Sequence, residues 1–295
     1  MPELRDMELL AALARHRHFA RAAAECGISQ PAFSARIRNL ELDLGAPIVK
    51  RGNRFMGFTK EGEIALKWAH QMIADARGLR QEVGHARGIL SGQLKIGAVP
   101  TALTFVANVA ARLRNDHPGL TIQVYSHSSA EISQGLEDFS LDAGFTYLES
   151  ALPAASSAVH VYDERYDLLV PPALAPDLRD EITWRAAAEL PLCLLTRNML
   201  NRQIIDGAFQ SADAEPNFIM ETNAFTVALV QVINGSAATI APELLVESIP
   251  LAADICCLKL IEPRVEKPIG VVVSEREPVL PAVDALLSCL KGPAR

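Results

Sequence analysis

The chain has 295 residues, 49% of them apolar, and a formal net charge of −7 at pH 7. That length exceeds a typical domain of about 100–200 residues and predicts two or three, with ample material for their cores. The five cysteines (Cys26, Cys193, Cys256, Cys257 and Cys289) are odd in number and none has C-x-x-C spacing, so neither a disulfide framework, a metal nor a cofactor is expected. No leader sequence and no apolar run of about 18 residues is seen, which predicts a cytoplasmic protein without a membrane partner. Charge is uneven: residues 1–88 hold 14 Lys and Arg against 10 Asp and Glu, and the acidic excess lies beyond them. A basic start on an acidic body suggests an anionic partner for the start alone.

"DMELLAALARHRHF" has apolar residues at helical spacing and predicts a first helix. "ARAAAECG" predicts a second, short and alanine-rich, with Gly27 suited to the left-handed position that ends a helix. Ser29 suits an N-cap and Pro31 a first turn, so a third helix is expected from Gln30 to about Leu44, closed by Gly45. Two helices joined by a tight glycine-containing turn make a helix-turn-helix. On a helical wheel Phe33, Ile37, Leu40 and Leu44 form a core stripe, while Pro31, Ser34, Ala35 and Arg38 fall away from it. Gln30 leads. Such a helix enters the major groove by its N-terminal part, where Gln pairs with adenine and Ser meets several base edges. Arg36 points to the core flank and is expected to reach a phosphate or an acidic neighbour.

"APIVKRGNRFMGFTKEGE" predicts two short extended pieces around a Gly-Asn turn, a wing offering Arg51, Arg54 and Lys60 to phosphates. Beyond it, Ala65, Ala69, Met72, Ala76, Leu79, Val83, Ala86 and Leu90 recur at alternating spacings of four and three. That heptad seam suits a partner helix and predicts a dimer, with an intrachain connector as the alternative.

Residues 7–62 resemble the winged helix-turn-helix of LysR-type transcriptional regulators. The likeness rests on the "AAAECGISQPAFSARIRNLELDLG" core, Arg51 after an apolar pair, and "FTKEGE". It implies contacts with double-stranded promoter DNA from Ser29, Gln30, Pro31, Ser34 and Ala35, with Arg36, Arg38, Arg51, Arg54 and Lys60 beside them. The position of Ala35 usually carries Arg in the family, so either one direct guanine contact is missing here or Arg36 or Arg38 replaces it. "IV" stands where the family favours Leu-Phe. The family implies a homo-oligomer, often a tetramer, and RNA polymerase joins the expected partners. Two stretches, residues 16–45 and 126–149, are also similar to members that sit beside formate dehydrogenase genes.

From about Ser91 short apolar strands ("LKIGAV", "TIQVYS", "LDAGFTY", "YDLLVP", "LCLLT", "FIMET", "AATIAP", "ICCLKLI", "PIGVVVS") alternate with helices at 103–117, 130–139 and 225–234. This predicts an α/β fold with largely parallel sheets. The half resembles the family's effector domain, which is similar to a periplasmic-binding protein with two lobes. The resemblance implies crossings near 162–165 and 263–268. The expected divisions are 1–60 for the DNA-binding domain, 61–90 for the linker helix and 91–295 for the effector domain. Its first lobe would take 91–163 and 267–295, its second 164–266.

Ligands in such folds gather beyond the carboxyl ends of strands, at helix N-termini. The candidates there are Pro100, Thr101, Ser128, Ser129, Thr146, Thr196, Arg197, Thr222 and Asn223. Arg197 is the cation among them and a two-point partner for a carboxylate; a small anionic effector is expected. Ser, Thr and Asn also cap helices at any such junction, and only the resemblance brings these residues to one cleft. A thiol switch, an enzyme and a solute-binding role are the alternatives. No nucleophile–base pair, P-loop or G-x-G-x-x-G supports catalysis, so no catalytic residue is expected.

Overall fold

The fold was obtained as a computed structural model, which describes residues 2–50, 55–175, 180–248 and 255–291. The head begins with α1 (Leu4–His16), α2 (Phe19–Glu25) and α3 (Gln30–Leu44). Gly27 and Gly45 both take positive φ, 68° and 69°, which lets the chain turn sharply after α2 and α3. The Ser29 hydroxyl accepts from the Ala32 amide at 3.4 Å, capping α3. Phe33, Ile37 and Leu40 are buried against Leu9, Leu10, Leu13, Ala22 and Ala23. Leu44, expected on that stripe, is exposed instead, because it closes the last turn where α3 runs past α1.

The wing is a single antiparallel bridge, Val49 to Phe58, and its turn, with Arg51 and Arg54, lies outside the described residues. Its base is well anchored. The Glu41 carboxylate accepts from the Ile48 and Val49 amides at 2.9 and 3.2 Å. Thr59 caps the next helix, accepting from the Gly62 amide at 2.9 Å while donating to the Pro47 carbonyl at 2.7 Å.

That helix, α4 (Lys60–Ala86), is 27 residues long and spans about 40 Å. Its seam is partly redirected from the expected one. Ala69 is buried in the head core, and Leu90 lies past the helix end in the core of the first lobe. The exposed apolar stripe is Ile64, Trp68, Met72, Leu79 and Val83. The opposite side, Ala74, Gly78 and Gln81, is buried. Gln81 donates to the Gln93 carbonyl at 3.0 Å and accepts from the Ala282 amide at 3.4 Å. Asp75 pairs with Arg276 at 2.5 Å.

Two mixed sheets follow. The first has the order β2-β1-β3-β11-β4, from β1 (Ser91–Ala98), β2 (Gly119–Ser126), β3 (Ala143–Tyr147), β4 (Ser156–Glu164) and β11 (Lys267–Ser274). It carries α5 (Leu103–Asp116), α6 (Ser129–Glu137) and α11 (Pro281–Lys291). The second, β6-β10-β5-β9, uses β5 (Tyr166–Val170), β6 (Glu181–Thr183), β9 (Thr239–Pro242) and β10 (Cys256–Ile261). The parallel pair β7 (Leu192–Leu195) and β8 (Phe218–Thr222) joins it through a bridge from Leu192 to Ala238. Around it lie α7 (Trp184–Ala188), α8 (Leu200–Ser211), α9 (Phe225–Ile233) and α10 (Glu243–Ser248). The chain passes between the sheets from β4 to β5 and returns from β10 to β11.

The expectation of largely parallel sheets needs correction. β4 and β11 run antiparallel to their neighbours, as does the β10-β5-β9 run, because the two crossings reverse the chain. β4 and β6 carry no long apolar run and were not expected as strands; β4 is an exposed edge.

A Cβ at Gly62 would stand 2.0 Å from the Ile48 carbonyl oxygen, which is backbone and held in the wing. Gly62→Ala is therefore expected to destabilise the head by about 1–3 kcal/mol, read as a lowered denaturant midpoint, and to weaken DNA binding with it.

Candidate functional site

Two candidate sites emerge, the tip of the head and the space between the sheets. At the tip, Ser29, Gln30 and Pro31 are exposed at the start of α3, while Ser34 and Ala35 are half-buried on its flank. Arg38 is exposed and makes no ion pair or hydrogen bond among the described residues. Lys60 is likewise exposed at the start of α4. Arg36 behaves differently. Its Nε donates to the Asp6 carboxylate at 2.9 Å and its terminal nitrogen to Glu3 at 3.0 Å. Of its two expected ends, phosphate or acidic neighbour, it takes the acidic neighbour and fastens α3 to the start of α1. Among cations not singled out in the sequence, Arg21 on α2 is exposed and unpaired among the described residues.

Between the sheets lies a pocket of about 370 Å³. Ser128, Ser129, Tyr147 and Glu149 face it from the first lobe, and Asn198 and Gln203 from the second. Of the nine expected effector residues, Ser128 and Ser129 line this pocket. Thr146 is buried below it and donates to the Ser129 hydroxyl at 2.9 Å. Pro100 and Thr101 are buried in the short helical turn before α5. Thr196 is half-buried, and its hydroxyl has no hydrogen-bond partner among the described residues. Thr222 accepts from the Ala224 amide at 3.2 Å, closing the turn into α9, and Asn223 is exposed beside it.

Arg197 does not line the pocket. It lies over the Phe218 ring at 5.5 Å and 3.7 Å from Glu221, on the β7–β8 side. Glu221 is drawn there by Arg202, which is buried and donates to it at 2.8 Å. The charged group on the pocket lining, Glu149, is paired with Lys267 at 2.6 Å. Ser128 and Glu131 form a reciprocal capping box at the start of α6, so those amides are already partly engaged.

Behind Tyr147 sits a buried polar cluster that the sequence did not announce. The Glu164 carboxylate accepts from the Tyr147 and Tyr166 hydroxyls at 2.6 and 2.7 Å. Thr101 approaches the Tyr147 hydroxyl at 3.3 Å. Burial pushes the Glu164 carboxyl above the usual carboxylate range, against the lowering effect of the tyrosine donors. Glu164 ends β4 and Tyr166 begins β5, so the cluster straddles one crossing between the lobes.

Among the described residues no His, Cys, Asp and Glu group is arranged to hold a metal, and no helix is long and apolar enough to cross a membrane.

Comparison with known proteins fits this architecture. Residues 4–63 match the model for bacterial regulatory helix-turn-helix proteins of the lysR family, and residues 87–294 match the LysR substrate binding domain. The chain is 27% identical to a hydrogen peroxide-inducible genes activator of Dickeya chrysanthemi, over 94% of this chain and 90% of that one. It is 26% identical to the DNA-binding transcriptional dual regulator OxyR of Escherichia coli, over 98% and 95%. Among solved structures, a full-length OxyR variant from Pseudomonas aeruginosa superposes with a TM-score of 0.77 at 21% identity, covering 100% of this chain and 96% of the other. CbnR, a LysR family transcriptional regulator, superposes at 0.71 and 22% identity, covering 98% of each. With both parts matched in order across nearly the whole chain, the protein belongs to the LysR family: a DNA-binding transcriptional regulator with an effector-binding domain, and not an enzyme.

Proposed function

We propose that the head reads promoter DNA with the leading turn of α3, and that the effector half reports a small polar metabolite held between its lobes. The observation that carries this is the two-sidedness of α3: Gln30 and Pro31 are exposed while Phe33, Ile37 and Leu40 seal the core. We assign base contacts to Gln30, Pro31, Ser34 and Ala35, and to Arg38 in place of the missing family arginine. Ser29 serves first as the cap. Phosphate contacts are assigned to Arg21, Lys60, Arg51 and Arg54, and a structural tie to Arg36. A regulator that reads DNA works in the cytoplasm and meets RNA polymerase there. The head is read as 1–60, the linker as 61–90 and the effector domain as 91–295.

The cleft offers hydroxyls and amides rather than an unpaired cation, which favours a neutral polar effector over the expected carboxylate. Self-association is supported by two apolar surfaces. One is the outer stripe of α4. The other is formed by Phe218, Ile219 and Met220 of β8 with Val230 and Ile233 of α9, all exposed. Two such surfaces per chain suit a dimer of dimers.

The peroxide-responsive relatives raise a thiol switch as the second reading. The cysteines here speak against it. Burial pushes the Cys26 and Cys193 thiols up, away from the reactive thiolate, and the Cys257 thiol, although exposed, is raised by desolvation and by the nearby Asp167 carboxylate. Cys256 and Cys257 are neighbours on β10, so their side chains point to opposite faces.

In gel-shift titrations against promoter and random DNA, Gln30→Ala is expected to cut discrimination by about 1–3 kcal/mol. Lys60→Ala is expected to weaken both binding modes and lower the salt slope by about 1. Arg36→Ala is expected to lower head stability and leave base preference intact. Equal affinity of the intact protein for both DNAs would sink the regulator reading. Trp68→Glu is expected to raise the dimer dissociation constant at least about tenfold in sedimentation experiments, since it places a charge on a desolvated helix seam.

A raised Glu164 pKa contributes stability that is present below the ordinary 4.5 and is lost as pH rises through the raised value. Glu164→Gln, which mimics the protonated acid, is expected to flatten the fall in stability above pH 4.5. Parallel pH profiles for the two proteins would refute the assignment.

A further inference from the structure

A second pocket, of about 330 Å³, lies at the end of the first lobe away from the cleft. Tyr147, which ends β3, faces the cleft, whereas Leu141 and Asp142, which precede β3, line this pocket. The five residues of β3 set the two places about 17 Å apart. β11 brings Val273 to the wall, and the segment leading into α11 brings Arg276, Val279, Leu280 and Val283. Leu141, Val273, Leu280 and Val283 are buried, and Val279 is half exposed. A concave, mostly apolar space of this size with one or two placed polar groups is the usual seat of a compact ligand.

The polar group that gives the pocket a direction is Arg276. Its side chain is only 15% exposed. One terminal nitrogen donates to Asp75 of α4 at 2.5 Å, and its other nitrogens make no hydrogen bond among the described residues. A guanidinium carries five N–H donors, so most of this one's capacity is unspent. Donors held beside apolar walls and largely away from water favour any acceptor that reaches them. The surrounding charges decide which acceptor that is. Asp142 is buried and already taken by the Lys95 amide at 2.8 Å and by Arg77 at 3.5 Å. Glu275 and Glu277 also line the pocket and are exposed. Asp75, Asp142, Glu275 and Glu277 thus stand against Arg276, Arg77 and Lys95, so an anion finds no excess of positive charge. A cation would have to give up its water beside the Arg276 guanidinium. A neutral acceptor meets neither obstacle.

We propose that this pocket is a second small-molecule site, taking a neutral apolar molecule with one hydrogen-bond acceptor, such as an aromatic ketone, ester or lactone. Its apolar body packs on Leu141, Val273, Leu280 and Val283, and its acceptor takes a free N–H of Arg276. The position gives the site a role, because two of its walls also hold the linker helix. Arg276 pairs with Asp75 of α4, and a Leu280 methyl lies where a Cβ on Gly78 of α4 would come within 2.9 Å of it. A molecule that fixes the guanidinium and fills the space behind Leu280 therefore tightens α4 on the first lobe. The linker then passes less freedom to the heads, and a ligand far from the cleft changes how a dimer presents them to DNA.

The test titrates the full-length protein with acetophenone, and with benzoate and benzylammonium as an anion and a cation of similar size, at one ionic strength. Methyl NMR signals of Leu280, Val283 and Leu287 are expected to shift with acetophenone, and those of Leu200 and Ile204 in the cleft to stay in place. Acetophenone is expected to bind at least about tenfold more tightly than either charged probe. Val279→Trp, which closes the pocket from a half-exposed position, should abolish the shifts. Arg276→Met should weaken binding about tenfold. Asp75→Ala, which breaks the same ion pair but keeps the guanidinium, should bind as the parent does. Hydrogen exchange in α4 from Asp75 to Gln81 is expected to slow with the probe bound. The proposal is overturned if the shifts are absent or fall on the cleft methyls, or if a charged probe binds as well as acetophenone. It is overturned equally if Val279→Trp or Arg276→Met binds as the parent does, if Asp75→Ala loses as much as Arg276→Met, or if α4 exchange is unchanged. The DNA-binding reading survives any of these results, since it is tested by promoter discrimination.

Discussion

The structure depends on one helix being claimed from three sides. α4 gives Ala69 to the head core, Ala74, Gly78 and Gln81 to the first lobe, and Ile64, Trp68, Met72, Leu79 and Val83 to solvent. Small residues make the first two contacts possible. Gly62 lies under the wing carbonyl of Ile48, and a Cβ at Gly78 would come 2.9 Å from a Leu280 methyl. Close backbone approach leaves little slack, so a rotation of α4 on the lobe is felt at the wing. The third, apolar side remains for another copy. A helix that is buried twice within its own chain and still presents an apolar stripe is suited to carry a message between a ligand domain and a paired DNA reader.

Charge is distributed to the same end. Exposed cations unpaired among the described residues (Arg21, Arg38, Lys60) sit on the head, where water screens them until a phosphate arrives. Within the second lobe, Arg202 is buried and fully occupied by Asp206, Glu221 and the Leu195 carbonyl, all within 2.8 Å. Such a network fixes β7, β8 and α8 relative to one another, and it takes Glu221 and Arg197 away from the cleft.

Much of this was legible in the sequence, and what was not has physical causes. The head was readable because its signals are local: Ser29 as cap, Gly27 and Gly45 as terminators, Phe33, Ile37 and Leu40 on one stripe. Arg36 was readable in part, since its place on the wheel pointed to an acidic neighbour, but Glu3 and Asp6 lie some thirty residues away. The strands with dense apolar runs were plain, whereas β4 is an edge whose exposed face needs no such run. The seam of α4 was seen as a period but not in its final register, because the head and the lobe claim Ala69 and Leu90 first. The cleft fared worst. Ser128 and Ser129 follow the strand-end rule, while Tyr147, Glu149 and Gln203 come together only through the two crossings of the chain.

The cleft and the linker helix are not independent, because the first lobe touches both. β1 is held to α4 by Gln81, which donates to the Gln93 carbonyl, and leads to Thr101, which meets Tyr147 behind the cleft. Tyr147 holds Glu164, and Glu164 holds Tyr166 of the second lobe. Closing the lobes on a ligand must act on this hydrogen-bonded crossing, since no other buried carboxylate joins the two lobes among the described residues. A ligand in the cleft and DNA at the heads would then favour or oppose one another through the same strand, and by reciprocity each would change the affinity of the other by the same factor.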